Sequence, residues 1–253
     1  MRIGLLILTL AGALGAAESK EIHRTIPLDT TGRLVIETYK GSVRVSTWDR
    51  NEVDIAVRIE EDWGLMADSI RNADLRVDTG LHEVRLESHY RRPTPFDLSG
   101  SQPLFHYTIR MPRSANLRIK DYKSSSEVDG LTGDLEVNTY KGTLRVRDLE
   151  GALAVTTYKG DVRAEFAKFS ARSRVETHKG TVELRLPRES RFDLRTELGR
   201  KSGLNSDFRQ MESVRTSSYR YRRANRSMDG AVNGGGPELR LKSDKGTFRV
   251  RER

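Results

Sequence analysis

One phrase returns along the chain at a nearly fixed interval, and it limits the fold more than any other feature. It reads Asp-Tyr-Lys-Ser at 121–124, Thr-Tyr-Lys-Gly at 139–142 and again at 157–160, and Thr-His-Lys-Gly at 177–180. Tyr122, Tyr140, Tyr158 and His178 are thus 18, 18 and 20 residues apart. Partial copies, Thr38-Tyr39-Lys40-Gly41 and Ser243-Asp244-Lys245-Gly246, stand apart from the series. A period of this size marks a repeat architecture in which each unit buries its apolar face only against its neighbours. Between the phrases apolar and charged residues alternate, as in Leu135-Glu-Val137-Asn-Thr139 and Leu144-Arg-Val146, the pattern of half-buried strands. Eighteen residues of extended chain reach roughly 60 Å, so each repeat must bend at least twice. Gly142, Gly160 and Gly180 supply one bend, and Gly133 and Gly151 another.

The expected fold is therefore all-β. It is a parallel β-solenoid with rungs of about 18–20 residues and corners stacked about 4.8 Å apart, or alternatively an antiparallel meander or sandwich of hairpins. Alternating strands also fall at Leu34–Thr38, Val43–Val45, Val53–Val57, Asp74–Asp78, His82–Ser88 and Leu104–Met111. Asp62, Leu65, Met66 and Ile70 have the spacing of one short helix over 62–73. The first residues read differently: Arg2, an apolar run from Ile3 to Leu14, and Gly15-Ala16-Ala17 have the layout of a secretory signal peptide over 1–17. The remaining divisions are 18–111 (β region with the short helix), 112–186 (regular repeat) and 187–253 (an irregular basic segment and closing rungs). Residues 18–253 read as one continuous domain, with the final strand as a terminal rung.

The absence of cysteine excludes a disulfide scaffold and a lipid anchor attached to a cysteine. A formal charge of +9, or +8 without Arg2, favours anionic partners. With no second apolar run, the mature chain is expected to carry no transmembrane segment.

The chain resembles the family of exported bacterial proteins known as putative adhesins. The resemblance rests on Gly41-Ser-Val-Arg-Val-Ser-Thr-Trp-Asp-Arg-Asn51, the serial Thr-x-Lys-Gly rungs, Gly203-Leu-Asn-Ser-Asp-Phe208, and Asn233-Gly-Gly-Gly-Pro followed by strand, Lys245-Gly246 and strand. It implies a β-helix-like fold and attaches no catalytic residues. The chain departs from the family in repeating lysine where Ser or Asn commonly precedes the glycine.

In a solenoid Lys123, Lys141, Lys159 and Lys179 form a file down one edge, and Tyr122, Tyr140, Tyr158 and His178 form a ladder beside it. Adjacent ammonium groups 4.8 Å apart repel by roughly 0.9 kcal/mol at the dielectric of water, a small cost, and the file serves either to bind a polyanion or only as tolerated corner residues that discourage aggregation. The ladder serves either to bind sugar rings or to pack on itself. Outward Arg145, Arg163, Glu136, Glu176 and Glu183 read as a solvated face of weak pairs. The histidines (His23, His82, His89, His106, His178) lack metal-ligand spacing, and Asn233-Gly-Gly-Gly-Pro237 reads as a tight turn. No metal and no cofactor are expected. The functional reading is a non-enzymatic module of the cell envelope, periplasmic or extracellular, that binds anionic glycans or envelope polymers and no nucleic acid. The alternative is a lyase or hydrolase acting on polysaccharide, with a groove formed by the basic segment Gly199 to Asn233, which includes Tyr219 and Tyr221.

Overall fold

The computed structural model describes residues 19–62, 68–90, 102–208 and 228–253. The expected signal peptide, the first part of the expected helix, the loop at 91–101, and residues 209–227 with Tyr219 and Tyr221 lie outside the described residues. Of the helix, α1 (Asp68–Arg71) is described.

The repeat winds as a two-sheet parallel solenoid. Each coil contributes one strand to each sheet. In chain order the regular coils are β2 (Arg33–Glu37) with β3 (Lys40–Trp48), then β8 (Asn116–Asp121) with β9 (Lys123–Asp129). They continue as β10 (Leu135–Thr139) with β11 (Thr143–Leu149), β12 (Leu153–Lys159) with β13 (Val162–Phe166), and β14 (Ser173–Lys179) with β15 (Thr181–Leu186). Register is kept from rung to rung. Ile36, Ile119, Val137, Val155, Val175 and Leu241 form one inward column, and Val45, Val128, Val146, Ala164, Leu184 and Val250 form the facing one. All are buried, so the alternation seen in the sequence is the two-residue period of a pleated strand with one face in the core. At the second corner Phe166, Phe169, Phe192 and Phe208 meet edge to face, with centroids 5.2, 5.6 and 5.3 Å apart.

Order in the sheets departs from order in the chain at both ends. Strand β6 (Glu83–His89) lies outside β2, and β7 (Leu104–Pro112) outside β3, so this later coil stacks on the far side of the first. It is flanked by antiparallel additions: β5 (Asp74–Thr79) on β6, β4 (Glu52–Glu60) on β7, and β1 (Ser19–Pro27) on β4. The meander alternative therefore describes the flanks, and the solenoid describes the body.

At the other end, β16 (Phe192–Leu198) and β17 (Gly203–Ser206) form the outer coil, with β18 (Asp229–Val232) antiparallel on β16. The coil of β19 (Glu238–Ser243) and β20 (Thr247–Glu252) lies inside it. Strand β19 pairs with both β14 and β16, and β20 with both β15 and β17. The expectation of a terminal rung is corrected: the last strands are an interior rung. Asn233, Gly234 and Gly235 all have positive φ (51°, 89° and 79°), and the Asn233 amide donates to the Arg188 and Ser190 carbonyls. That left-handed turn reverses the chain and sends it back into the stack.

Candidate functional site

The recurring phrase makes the first corner of each coil, and each of its positions has one task. The first residue points inward, and at three corners it closes the turn, whereas the buried Thr157 and Thr177 Oγ1 atoms have no hydrogen-bond partner among the described residues. Gly142 N–H donates to Thr139 Oγ1 (2.9 Å), Gly246 N–H to Ser243 Oγ (2.6 Å), and Ser124 N–H to Asp121 Oδ1 (3.0 Å). Short polar side chains that accept a nearby backbone N–H are what such turns select. The second residue, the aromatic, points out. The third carries its ammonium outward while its backbone N–H donates to the aromatic carbonyl of the rung before: Lys123 to Tyr39, Lys141 to Tyr122, Lys159 to Tyr140, Lys245 to His178, at 2.8–3.0 Å. The fourth is glycine at every corner but that of Ser124, because consecutive corners nearly touch. A Cβ on Gly160 would sit 1.9 Å from the Gly142 carbonyl oxygen, and one on Gly180 would sit 2.1 Å from that of Gly160.

This local geometry lines up the aromatics. Tyr122–Tyr140, Tyr140–Tyr158 and Tyr158–His178 stack with centroids 4.9, 4.8 and 4.7 Å apart and planes within 13°. Tyr39, absent from the sequence-derived set, continues the stack on Tyr122 at 4.7 Å. Tyr90 closes that end edge-on at 6.2 Å. At the other end His178 Nδ1 lies 2.9 Å from Asp244 Oδ2, the residue of the next rung in the aromatic position. The ring faces are thus spent on one another. The three central tyrosines remain 37–45% exposed, so their edges and hydroxyls face water. Of the two uses expected for the ladder, self-packing is the one seen.

The structure brings Lys123, Lys141, Lys159 and Lys179 to the same corner and adds two. Lys40 is in register with Lys123, and Lys245 follows on the rung after Lys179. Lys40 is paired with Asp62. Among the described residues Lys123, Lys141, Lys159 and Lys179 have no carboxylate partner, while Lys141 Nζ lies 5.4 Å from the Tyr140 ring centre. The outward faces of the sheets differ from this edge, being laced with pairs such as Arg118–Glu136 (3.1 Å), Arg145–Glu127 (3.6 Å) and Arg185–Glu183 (2.9 Å).

One rung breaks the pattern from within. Asp121 stands where the other corners place Thr or Ser, and its Oδ1 accepts from the Thr139 hydroxyl at 2.7 Å. Burial pushes its carboxyl up to about 6, against those two hydrogen bonds. It lines an open cleft at the Tyr39 end of the ladder, together with Glu37, Glu87, His89, Tyr90 and Lys120.

Among solved structures, a putative cell adhesion protein from Clostridium sporogenes ATCC 15579 matches 93% of this chain and 100% of its own, with a TM-score of 0.54 and 11% identity. A putative adhesin from Bacteroides fragilis NCTC 9343 (TM-score 0.28, 11% identity, 92% and 97% covered) also matches. So does a putative lipid binding protein from Parabacteroides distasonis ATCC 8503 (TM-score 0.24, 11% identity, 94% and 98% covered). At these identities the first supports the fold and nothing finer. No curated protein matches the sequence. The model of the Toastrack DUF4097 family matches residues 9–233, and with the stacked coils and glycine corners above, the chain belongs to that family.

Proposed function

We propose that this Toastrack domain is an exported binding module of the cell envelope, periplasmic or at the cell surface, and that its first-corner edge contacts anionic polymers such as acidic glycans. The observation that carries the reading is the file of exposed lysines on consecutive rungs beside the stacked aromatic ladder. Among the described residues Lys123, Lys141, Lys159, Lys179 and Lys245 have no carboxylate partner, and a line of such cations on one edge is a surface poised for an external polyanion. Because the ring faces are covered, contact is through charge and through phenol edges, without stacking on sugars. The name of the Clostridium sporogenes structure, a putative cell adhesion protein, agrees with a role at the surface.

Binding of polygalacturonate, followed by calorimetry at rising NaCl, tests this. Affinity is expected to fall steeply with salt, as exposed charge pairs are screened. Replacing both Lys141 and Lys159 by Ser is expected to remove most of it while the β-type circular dichroism is kept. Salt-insensitive binding, or binding unchanged in the double variant, refutes the reading. No reaction is assigned to this edge.

A further inference from the structure

Away from the ladder, three side chains on the outer face of the first sheet meet in an arrangement the sequence gives no hint of. Ser42 on β3 and His106 on β7 are direct partners in the parallel register, and Ser42 Oγ lies 2.9 Å from His106 Nδ1. The other ring nitrogen, Nε2, is buried and lies 3.3 Å from Glu60 Oε2 on β4. That contact is close enough for charge attraction, and among the described residues Nε2 has no other hydrogen-bond partner. The carboxylate favours the tautomer with its proton on Nε2 and leaves the Nδ1 lone pair facing the Ser42 hydroxyl. A hydroxyl, an imidazole acceptor and a carboxylate on the far nitrogen are the three parts of an activated nucleophile.

The surroundings suit the chemistry. The site opens into a cleft of about 520 Å³ whose walls include Arg44, Arg58 and His23. Burial is the main cause holding the His106 imidazole below its usual range; Arg58 and Arg44 add to it, and Glu60 opposes. A base kept neutral near pH 7 is available to take a proton. Arg58 is committed to Glu60, with Nη1 2.9 Å from Oε1. Arg44 has only a loose contact with Glu127 at 3.8 Å, so its guanidinium is the group free to meet a developing oxyanion.

We propose that Ser42, His106 and Glu60 form a nucleophile relay that hydrolyses small carboxylic esters, with Arg44 favouring anionic ones. Ser42 Oγ attacks the carbonyl carbon as its proton passes to His106 Nδ1. Collapse of the tetrahedral adduct breaks the bond to the alcohol oxygen, which leaves with that proton. Water, deprotonated by the same nitrogen, then attacks the acyl-serine, the carboxylic acid departs, and Ser42 Oγ recovers a proton from His106. Ser42 and His106 are the catalytic residues, and Glu60 is a positioning residue. The strand N–H groups here are engaged in the sheet, so the oxyanion is met by a side chain alone and turnover is expected to be slow.

The test uses the full chain. A fluorophosphonate probe, mapped by peptide mass spectrometry, is expected to label Ser42, and labelling is expected to vanish in His106→Gln. Hydrolysis of 4-nitrophenyl acetate and mono-4-nitrophenyl succinate is expected to fall at least about 100-fold in Ser42→Ala and in His106→Gln, with the succinate the better substrate of the native protein. Glu60→Gln separates positioning from mere packing. Removing the carboxylate lowers the imidazole pKa further, so the acid limb of the kcat/KM profile moves to lower pH as the rate drops. The groups facing His106 that shape this limb are Glu60 and Arg58 on β4, Arg44 on β3, and Glu21 and His23 on β1. A label that misses Ser42, ester turnover indistinguishable from buffer, or Ser42→Ala turning over at the native rate each overturns the proposal. All three variants lie on an outward sheet face, and unchanged thermal melts confirm that lost activity is not lost fold.

Discussion

Replacing Asp121 with Asn isolates the carboxyl that stands at the inward position of its corner. The native carboxyl is raised from 3.8 to about 6 by burial, so between those values the folded protein binds more protons than the unfolded chain. Stability must then fall as pH rises through that window, with the full penalty present above about 6 and none below about 4. A shift of about two units corresponds to about 3 kcal/mol at 1.36 kcal/mol per unit. Asn keeps an oxygen for the Thr139 hydroxyl and the Ser124 N–H while removing the charge. Urea denaturation at pH 8 should therefore find Asp121→Asn more stable than the native protein by up to about 3 kcal/mol, or about 6–12 °C in melting temperature for a domain of this size. At pH 3.5 the two should agree within about 0.5 kcal/mol. Other titrating groups are common to both proteins and cancel in the difference. A gap that is the same at both pH values, or a variant less stable at pH 8, refutes the assignment of the charge cost to this carboxyl.

Three further perturbations test the corner and the core. Gly160→Ala drives a Cβ against the Gly142 carbonyl and should cost about 3 kcal/mol or prevent folding, whereas Gly203→Ala, with nothing within 4 Å, should change a chemical-denaturation midpoint little or raise it. Tyr140→Ala removes two ring stacks and should cost about 1–3 kcal/mol at roughly 0.5–1.5 per stack, while Tyr140→Phe should melt like the native protein. Tyr107→Phe deletes the buried contact of the Tyr107 hydroxyl with Ser88 Oγ (2.7 Å) and should cost about 1–2 kcal/mol, measured by the same unfolding experiment.

The regular rungs were legible because two periods coincide: alternation names the inward face of each strand, and the recurring phrase names the corner. Alternation does not name a strand's neighbour. That is why the inner position of β19 and β20, and the outer position of β6 and β7, could not be read from residues whose burial pattern is the same in any slot. Tyr39 escaped the ladder for this reason: β3 to β8, with α1 among them, intervene before its stacking partner Tyr122, and the spacing carries no trace of their contact. Lys245 was hidden in the same way, since its rung follows that of Lys179 in space with β16, β17 and β18 between them in sequence. The Ser42–His106–Glu60 cluster is a product of register alone, drawn from three strands of which one is antiparallel. Asp121 was visible as a variant of the phrase, but the consequence of placing a carboxyl there required knowing that its side chain turns inward.

The interior placement of residues 238–252 sets the order in which the molecule can be completed. Until that segment arrives, β14 and β15 end in two open apolar edges, and the coil made earlier by β16 and β17 has nothing to dock on. A nascent chain can wind its first turns as they emerge, yet the facing edges of β14 to β17 must wait, unpaired and prone to mispairing, until the coil of β19 and β20 slides into the gap and joins both sides at once. Losing that stretch costs two rungs rather than one, so proteolytic nicking at the Asn233–Gly236 turn is a more damaging cut than its exposed position suggests.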